Sequence, residues 1–178
     1  MKNVENEIKK TFINILNQRN IDEIDVQLLS DQLKITRQTF YYHFKNIYDV
    51  VFSIIIDRQI EPSEGEDLDE ISTHIINSFF ENEELYREIL NSSANDILKE
   101  STYSYFNKAL NYYLKEHSNI SFDARKDIAS FLSYGISNQL INCFKINGYN
   151  KDDVKIKVKA FLNEQSLNSI VEGYLNNI

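Results

Sequence analysis

The sequence predicts an all-α protein with an N-terminal lobe of short helices and a C-terminal helical bundle, about nine helices in total. Three observations carry this. Apolar residues recur at spacings of three and four along most of the chain, which is the repeat of an amphipathic helix. No sustained alternation of period two appears, as a half-buried strand would require. One proline and four glycines interrupt 178 residues, so long helices meet few breakers.

The first helix is expected over 3–19, where Ile8, Phe12, Ile15 and Leu16 form one apolar stripe and Lys2, Lys9 and Lys10 take the polar side. The loop that follows carries Ile21 and Ile24, which pin it to the core. Asp25 is placed to cap the next helix. Val26, Leu29 and Leu33 share a face of that helix, with small Ser30 on the inner side where two backbones can approach closely. Lys34 and Ile35 make a turn, and Thr36 caps a helix opened by Arg37, Gln38 and Thr39. Two short helices joined this tightly form a helix-turn-helix lobe, whose second helix enters the major groove of DNA.

The residue types of that second helix suit the task. Arg37 can donate a forked pair of bonds to guanine, Gln38 can pair with adenine, and the Thr39 methyl can meet thymine. Phe40 and Phe44 lie four apart and face inward. Tyr41, Tyr42 and His43 offer donors to phosphate oxygens, and Lys45 adds a charge. Gln27 and Thr36 complete the DNA-facing set. Taken singly, each residue also fits a solvated helix face; it is the constellation that points to DNA.

A fourth helix is expected over 46–60, with Tyr48, Val51, Phe52, Ile55 and Ile56 apolar. The run TRQTFYYHFKNIYDV, preceded by DVQLLSDQLKI, resembles the signature of the TetR-type transcriptional regulators. In that family a Ser/Thr-Arg-x-Thr-Phe-Tyr-x-His-Phe run closes the DNA-reading helix. The close resemblance covers roughly residues 8 to 60. Two positions depart from it: Lys34 stands where the family often has glycine, and Ile47 where it often has a phosphate-contacting lysine. The resemblance implies a dimeric, ligand-responsive repressor that binds a palindromic operator in double-stranded DNA. It also implies that 47–60 links a ligand-binding lobe to the reading helix.

EPSEGED at 61–67 holds the one proline and is the clearest composition break. The boundary is set there, giving a DNA-binding domain over 1–60 and a ligand-binding and dimerisation domain over 61–178. Helices are expected over 68–80, 82–91, 95–117, 122–147 and 151–176, with Gly148 as a stop for the fourth of these. In that fourth helix Phe131, Leu132, Ile136, Leu140, Ile141 and Phe144 leave little polar surface. A helix so apolar calls for cover from outside its own lobe. The last two helices are therefore expected to pair with their copies in a homodimer, with Ser133, Gly135 and Ser137 allowing close approach. Aromatic residues crowd 79–134; most belong to the core, and Tyr103, Phe106 and Tyr134 are placed by helix facing as lining for a small-molecule effector pocket.

Charge and composition bound the remaining classes. The formal net charge is −8, which argues against a nonspecific nucleic-acid binder. Residues 1–60 carry eight basic and eight acidic side chains, and 61–178 carry eleven and nineteen, so the acidity lies in the second part. That acidity, with Ile47, keeps open a second reading: an adaptor or co-activator that acts through a protein partner with little direct DNA binding. No enzyme is expected. His43, His74 and His117 are far apart, no phosphate-cradling glycine loop or nucleophile elbow is present, and neither metal nor cofactor is implied. Cys143, in LINCFKI, reads as a buried inert thiol. No apolar stretch has the length of a membrane span or a signal core, so the expected location is the cytoplasm.

Overall fold

A computed structural model describes residues 2–146 and 149–176, so Gly148 and the stop assigned to it lie outside the described residues. The described chain is all-α. Its ten helices are α1 (Lys2–Leu16), α2 (Val26–Leu33), α3 (Arg37–His43), α4 (Ile47–Arg58), α5 (Leu68–Glu81), α6 (Glu83–Leu90), α7 (Asn95–His117), α8 (Phe122–Lys145), α9 (Lys151–Lys159) and α10 (Glu164–Leu175). A single 3-10 turn covers Ile21–Glu23. The chain divides into two compact units. One comprises the chain up to Arg58 together with Asn82–Leu98; the other comprises Gln59–Glu81 together with the chain from Lys99 on.

In the first unit α1 packs on α2 and α4, and α2 packs on α3. Ile8, Phe12, Leu29, Phe40, Val50 and Ile55 are fully buried. Ile21 and Ile24 are buried as well, so the loop between α1 and α2 is anchored at both ends of its 3-10 turn. Tyr86 and Ile89 of α6 have no exposed surface and belong to this unit. The corner between α6 and α7 is tied to the loop after α1. The Ser93 amide donates to Asp22 Oδ1 at 3.1 Å, and the Ser93 hydroxyl meets the Tyr48 hydroxyl at 2.9 Å. Ser93 thus holds Asp22.

Lys9 was assigned to a polar, solvent-facing side, and the fold corrects this. It is 8% exposed, and its ammonium donates to Asp57 Oδ2 at 2.7 Å and Ser53 Oγ at 3.1 Å, with Glu5 at 3.0 Å. Burial alone would lower its pKa, but the hydrogen bonds it donates to the two carboxylates hold it above the ordinary lysine range. The charge is spent on joining α1 to α4 and adds nothing to an outer positive face. On α4, Val50, Val51, Ile54 and Ile55 are buried, whereas Tyr48, Phe52 and Ile56 stay half exposed. The inward face is therefore rotated from the one expected.

In the second unit α9 packs on α5 and α8, and α10 packs on α8. Phe79 and Phe80 meet the edge of Phe144 at 5.1 and 5.6 Å, and the Tyr105 hydroxyl donates to the carbonyl of Ile71 at 3.1 Å. The stretch read as the domain boundary is an extended strap along α7. The Ser101 hydroxyl donates to Gln59 at 2.7 Å, Lys108 pairs with Glu61, and Lys115 pairs with Glu64 at 2.9 Å. Gly65 turns the strap with φ 88°, which a side chain would resist.

The expected single helix over 151–176 is two helices. Asn163 separates them and serves both: its amide nitrogen donates to the carbonyls of Lys159 and Ala160, each at 3.1 Å, and its oxygen accepts from the Ser166 amide at 2.9 Å. α9 opens with a capping box of Asn150 and Asp153. α9 packs within its own unit through Val154 and Val158 and leaves Ile156 69% exposed. α8, α9 and α10 all present outer faces. Ser133 and Ser137 are buried on the inner face of α8, while Gly135 lies outside with Phe131 and Tyr134.

Candidate nucleic-acid interface

The site is built on two helix ends and the turn between them. Asp25 caps α2 by accepting from the Leu28 amide at 2.7 Å. The helix ends in a Schellman arrangement: the Ile35 amide donates to the Ser30 carbonyl at 3.0 Å and the Lys34 amide to the Asp31 carbonyl at 3.2 Å. Lys34 takes the left-handed conformation that ending requires, with φ 55° and ψ 39°. So the turn lacks glycine but keeps a glycine's geometry. Ser30 is 2% exposed, as expected for a close crossing, and its hydroxyl has no hydrogen-bond partner within the protein.

Thr36 then caps α3, its hydroxyl accepting from the Thr39 amide at 3.1 Å and lying 2.9 Å from the Thr39 hydroxyl. Phe40 and Phe44 are buried, with ring centroids 6.0 Å apart. Their burial fixes which face of α3 points out. Arg37 and Gln38 are exposed on it, Tyr41 is 56% exposed and Tyr42 is 66% exposed. His43 is half-buried beside the Tyr42 ring, at 5.1 Å. Lys45 is exposed, and its backbone amide donates to Asp49 at 3.0 Å, while the Asp49 amide donates to Asn46 at 2.9 Å. That pair of bonds fixes the start of α4 behind the reading helix.

Of the nine residues assigned to DNA, Arg37, Gln38, Tyr41, Tyr42 and Lys45 thus lie outward together. Thr36 and Thr39 already use their hydroxyls in the cap, which leaves methyl groups for contact. Gln27 is exposed on α2 but has both ends of its amide engaged, one by Arg37 and one by Asp31. Asp31 was not foreseen; an i, i+4 pairing with Gln27 was its available signal.

The expected effector-pocket residues do not converge. Phe106 has no exposed surface and sits edge-on to Tyr105 at 5.6 Å. Tyr103 stacks on Tyr134 at 4.3 Å and meets the Ser130 hydroxyl at 2.9 Å, but Tyr134 is 59% exposed. The two tyrosines form an outer stack between α7 and α8, while Phe106 fills the core.

Residues 66–155 match a TetR-type family model described as a transcriptional regulator C-terminal region. This stretch covers half of the chain and does not overlap the helix-turn-helix. The chain belongs to the TetR family of transcriptional regulators. Two separate parts of this TetR-family regulator therefore point the same way: the turn and reading helix by their residues, and the second part by the family match. No curated protein matches the chain. Among the described residues of the regulator, no helix is long and apolar enough to cross a membrane, and no group of His, Cys, Asp and Glu could hold a metal ion.

Proposed function

We propose that this regulator binds double-stranded DNA sequence-specifically, as a homodimer on a palindromic operator, and represses transcription until a small-molecule effector binds. One observation carries the DNA reading. α3 buries Phe40 and Phe44 and turns Arg37, Gln38, Tyr41 and Tyr42 outward from the second helix of a helix-turn-helix. Such a helix meets base edges with its N-terminal residues and phosphates with its flanks. Arg37 and Gln38 would read bases, and Tyr41, Tyr42 and Lys45 would hold phosphates. Support for the dimer comes from Phe131 and Tyr134, 71% and 59% exposed on α8, which a second copy would cover. Repression and the effector rest on family membership.

The test is selection of bound genomic fragments followed by gel-shift titration. Arg37→Ala and Tyr42→Ala should each lose operator binding while melting as the native protein does. Normal operator binding by both variants overturns the reading surface. A second reading, an adaptor acting through a protein partner, is favoured by the net charge of −8 and by the absence of a cation at Ile47. A stoichiometric protein partner, with no DNA retained at low salt, would select it.

A further inference from the structure

Three exposed side chains at the reading edge of the first unit are bonded in a row. Arg37 Nε donates to Gln27 Oε1 at 2.6 Å, and Gln27 Nε2 donates to Asp31 Oδ1 at 2.6 Å. Gln27 and Asp31 stand one turn apart on α2, so they share a face. Arg37 is the first residue of α3, so the row bridges the turn between the two helices. None of the three is buried, and the core does not need them.

Two features give the row a purpose. An unattached surface arginine samples many rotamers, whereas this one is tethered at Nε and keeps its two terminal nitrogens for another partner. A carboxylate at this edge repels phosphate, so Asp31 adds nothing to general DNA affinity. What it does is fix the Gln27 amide, oxygen toward Arg37 and nitrogen toward itself. A neutral amide between the charges also keeps Asp31 from neutralising the guanidinium directly.

We infer that Asp31 and Gln27 are positioning residues that aim Arg37 and set its base preference. The terminal Nη pair is held end-on, the orientation in which a guanidinium forks onto the O6 and N7 acceptors of guanine in the major groove. The inference rests on the DNA-reading role proposed above for α3. It goes further by assigning specificity at one base pair per half-site to two residues of α2 that act through Arg37.

The experiment uses the full chain and a randomised duplex library, with base preferences read from the bound fraction and affinities checked on the selected site and on an unrelated duplex. The native protein should select guanine at one position of each half-site, and Arg37→Ala should lose that preference. Gln27→Met and Asp31→Ala should each lower the guanine preference by about tenfold, within what a forked arginine–guanine pair supplies. Asp31→Ala should at the same time bind the unrelated duplex more tightly, because a phosphate-repelling charge is gone; a purely structural lesion would weaken both. Asp31→Asn, whose amide oxygen can still accept from Gln27, should restore most of the preference. If Arg37→Ala loses the guanine and the Gln27 and Asp31 variants keep it, the positioning role is overturned and the reading helix stands. If the native protein selects no duplex, or Arg37→Ala changes no preference, the DNA-reading role falls and this inference falls with it.

Discussion

Lys34 is the one non-glycine residue with positive φ among the described residues. A β-carbon in this conformation crowds the following carbonyl, at a cost of roughly 1–2 kcal/mol, part of which glycine returns as extra freedom of the unfolded chain. Lys34→Gly should therefore stabilise the protein by about 0.5–1 kcal/mol and raise its melting temperature by about 2 °C; calorimetry that finds a lower melting temperature would show that the lysine makes an offsetting contact. Cys143 makes a second prediction. It is 3% exposed, burial pushes its thiol pKa up, and Gln139 lies 3.6 Å from the sulfur. Native protein at neutral pH should react with a thiol reagent only as fast as it opens, and denaturant should release full reactivity. Fast labelling of the folded protein would contradict this placement. At this scale the sequence was legible where a residue's role is local. The caps at Asp25 and Thr36, the buried Phe40 and Phe44 and the buried thiol all follow from near neighbours. Lys9 was misassigned because its partners Ser53 and Asp57 lie more than forty positions away, beyond the reach of helix periodicity.

Among elements, the helices up to α8 were legible to within a few residues because their apolar spacing is strong, and caps mark the starts of α2 and α3. The break between α9 and α10 was not. Val158, Leu162 and Leu167 are all buried, and only the step of five between the last two departs from a helical spacing, too slight a break to mark the corner. The sign is Asn163, whose short amide satisfies carbonyls ending one helix and an amide starting the next. Asn163→Ala removes these bonds and installs the strongest helix former. It should cost about 1–2 kcal/mol, read as a lower denaturant midpoint with an unchanged slope. A change in slope would instead mean that α9 and α10 had fused or that the second unit no longer unfolds together. The candidate site was legible as an element too: α3 fell where the motif placed it. The Asp31–Gln27–Arg37 row was hidden because it depends on the rotamers of three flexible side chains, which no pattern of residue types records.

For the whole molecule, the open question is what the outer face of α8 meets. Much of the apolar content that argued for a partner is already buried inside the second unit: Leu132, Ile136, Leu140, Ile141 and Phe144 are each 7% exposed or less. What remains is a narrower patch of Phe131, Tyr134 and exposed Gly135, beside α10, which is joined to α8 by the Tyr174 hydroxyl on Asp127 at 2.8 Å and leaves Leu175 half exposed. Such a patch suits helices crossing closely at a small residue, with an aromatic ring on each side as the anchor. Phe131→Glu puts two like charges near the proposed two-fold axis and leaves the core untouched, since the native ring is 71% exposed. Light scattering should then find a monomer of unchanged helix content. Operator affinity should fall with it, because the second head no longer benefits from the first being bound, while each head still weakly recognises a single half-site. A dimer that survives both Phe131→Glu and Tyr134→Glu would move the interface off this face. A monomer that binds the full operator as tightly as the native protein would remove the need for two heads.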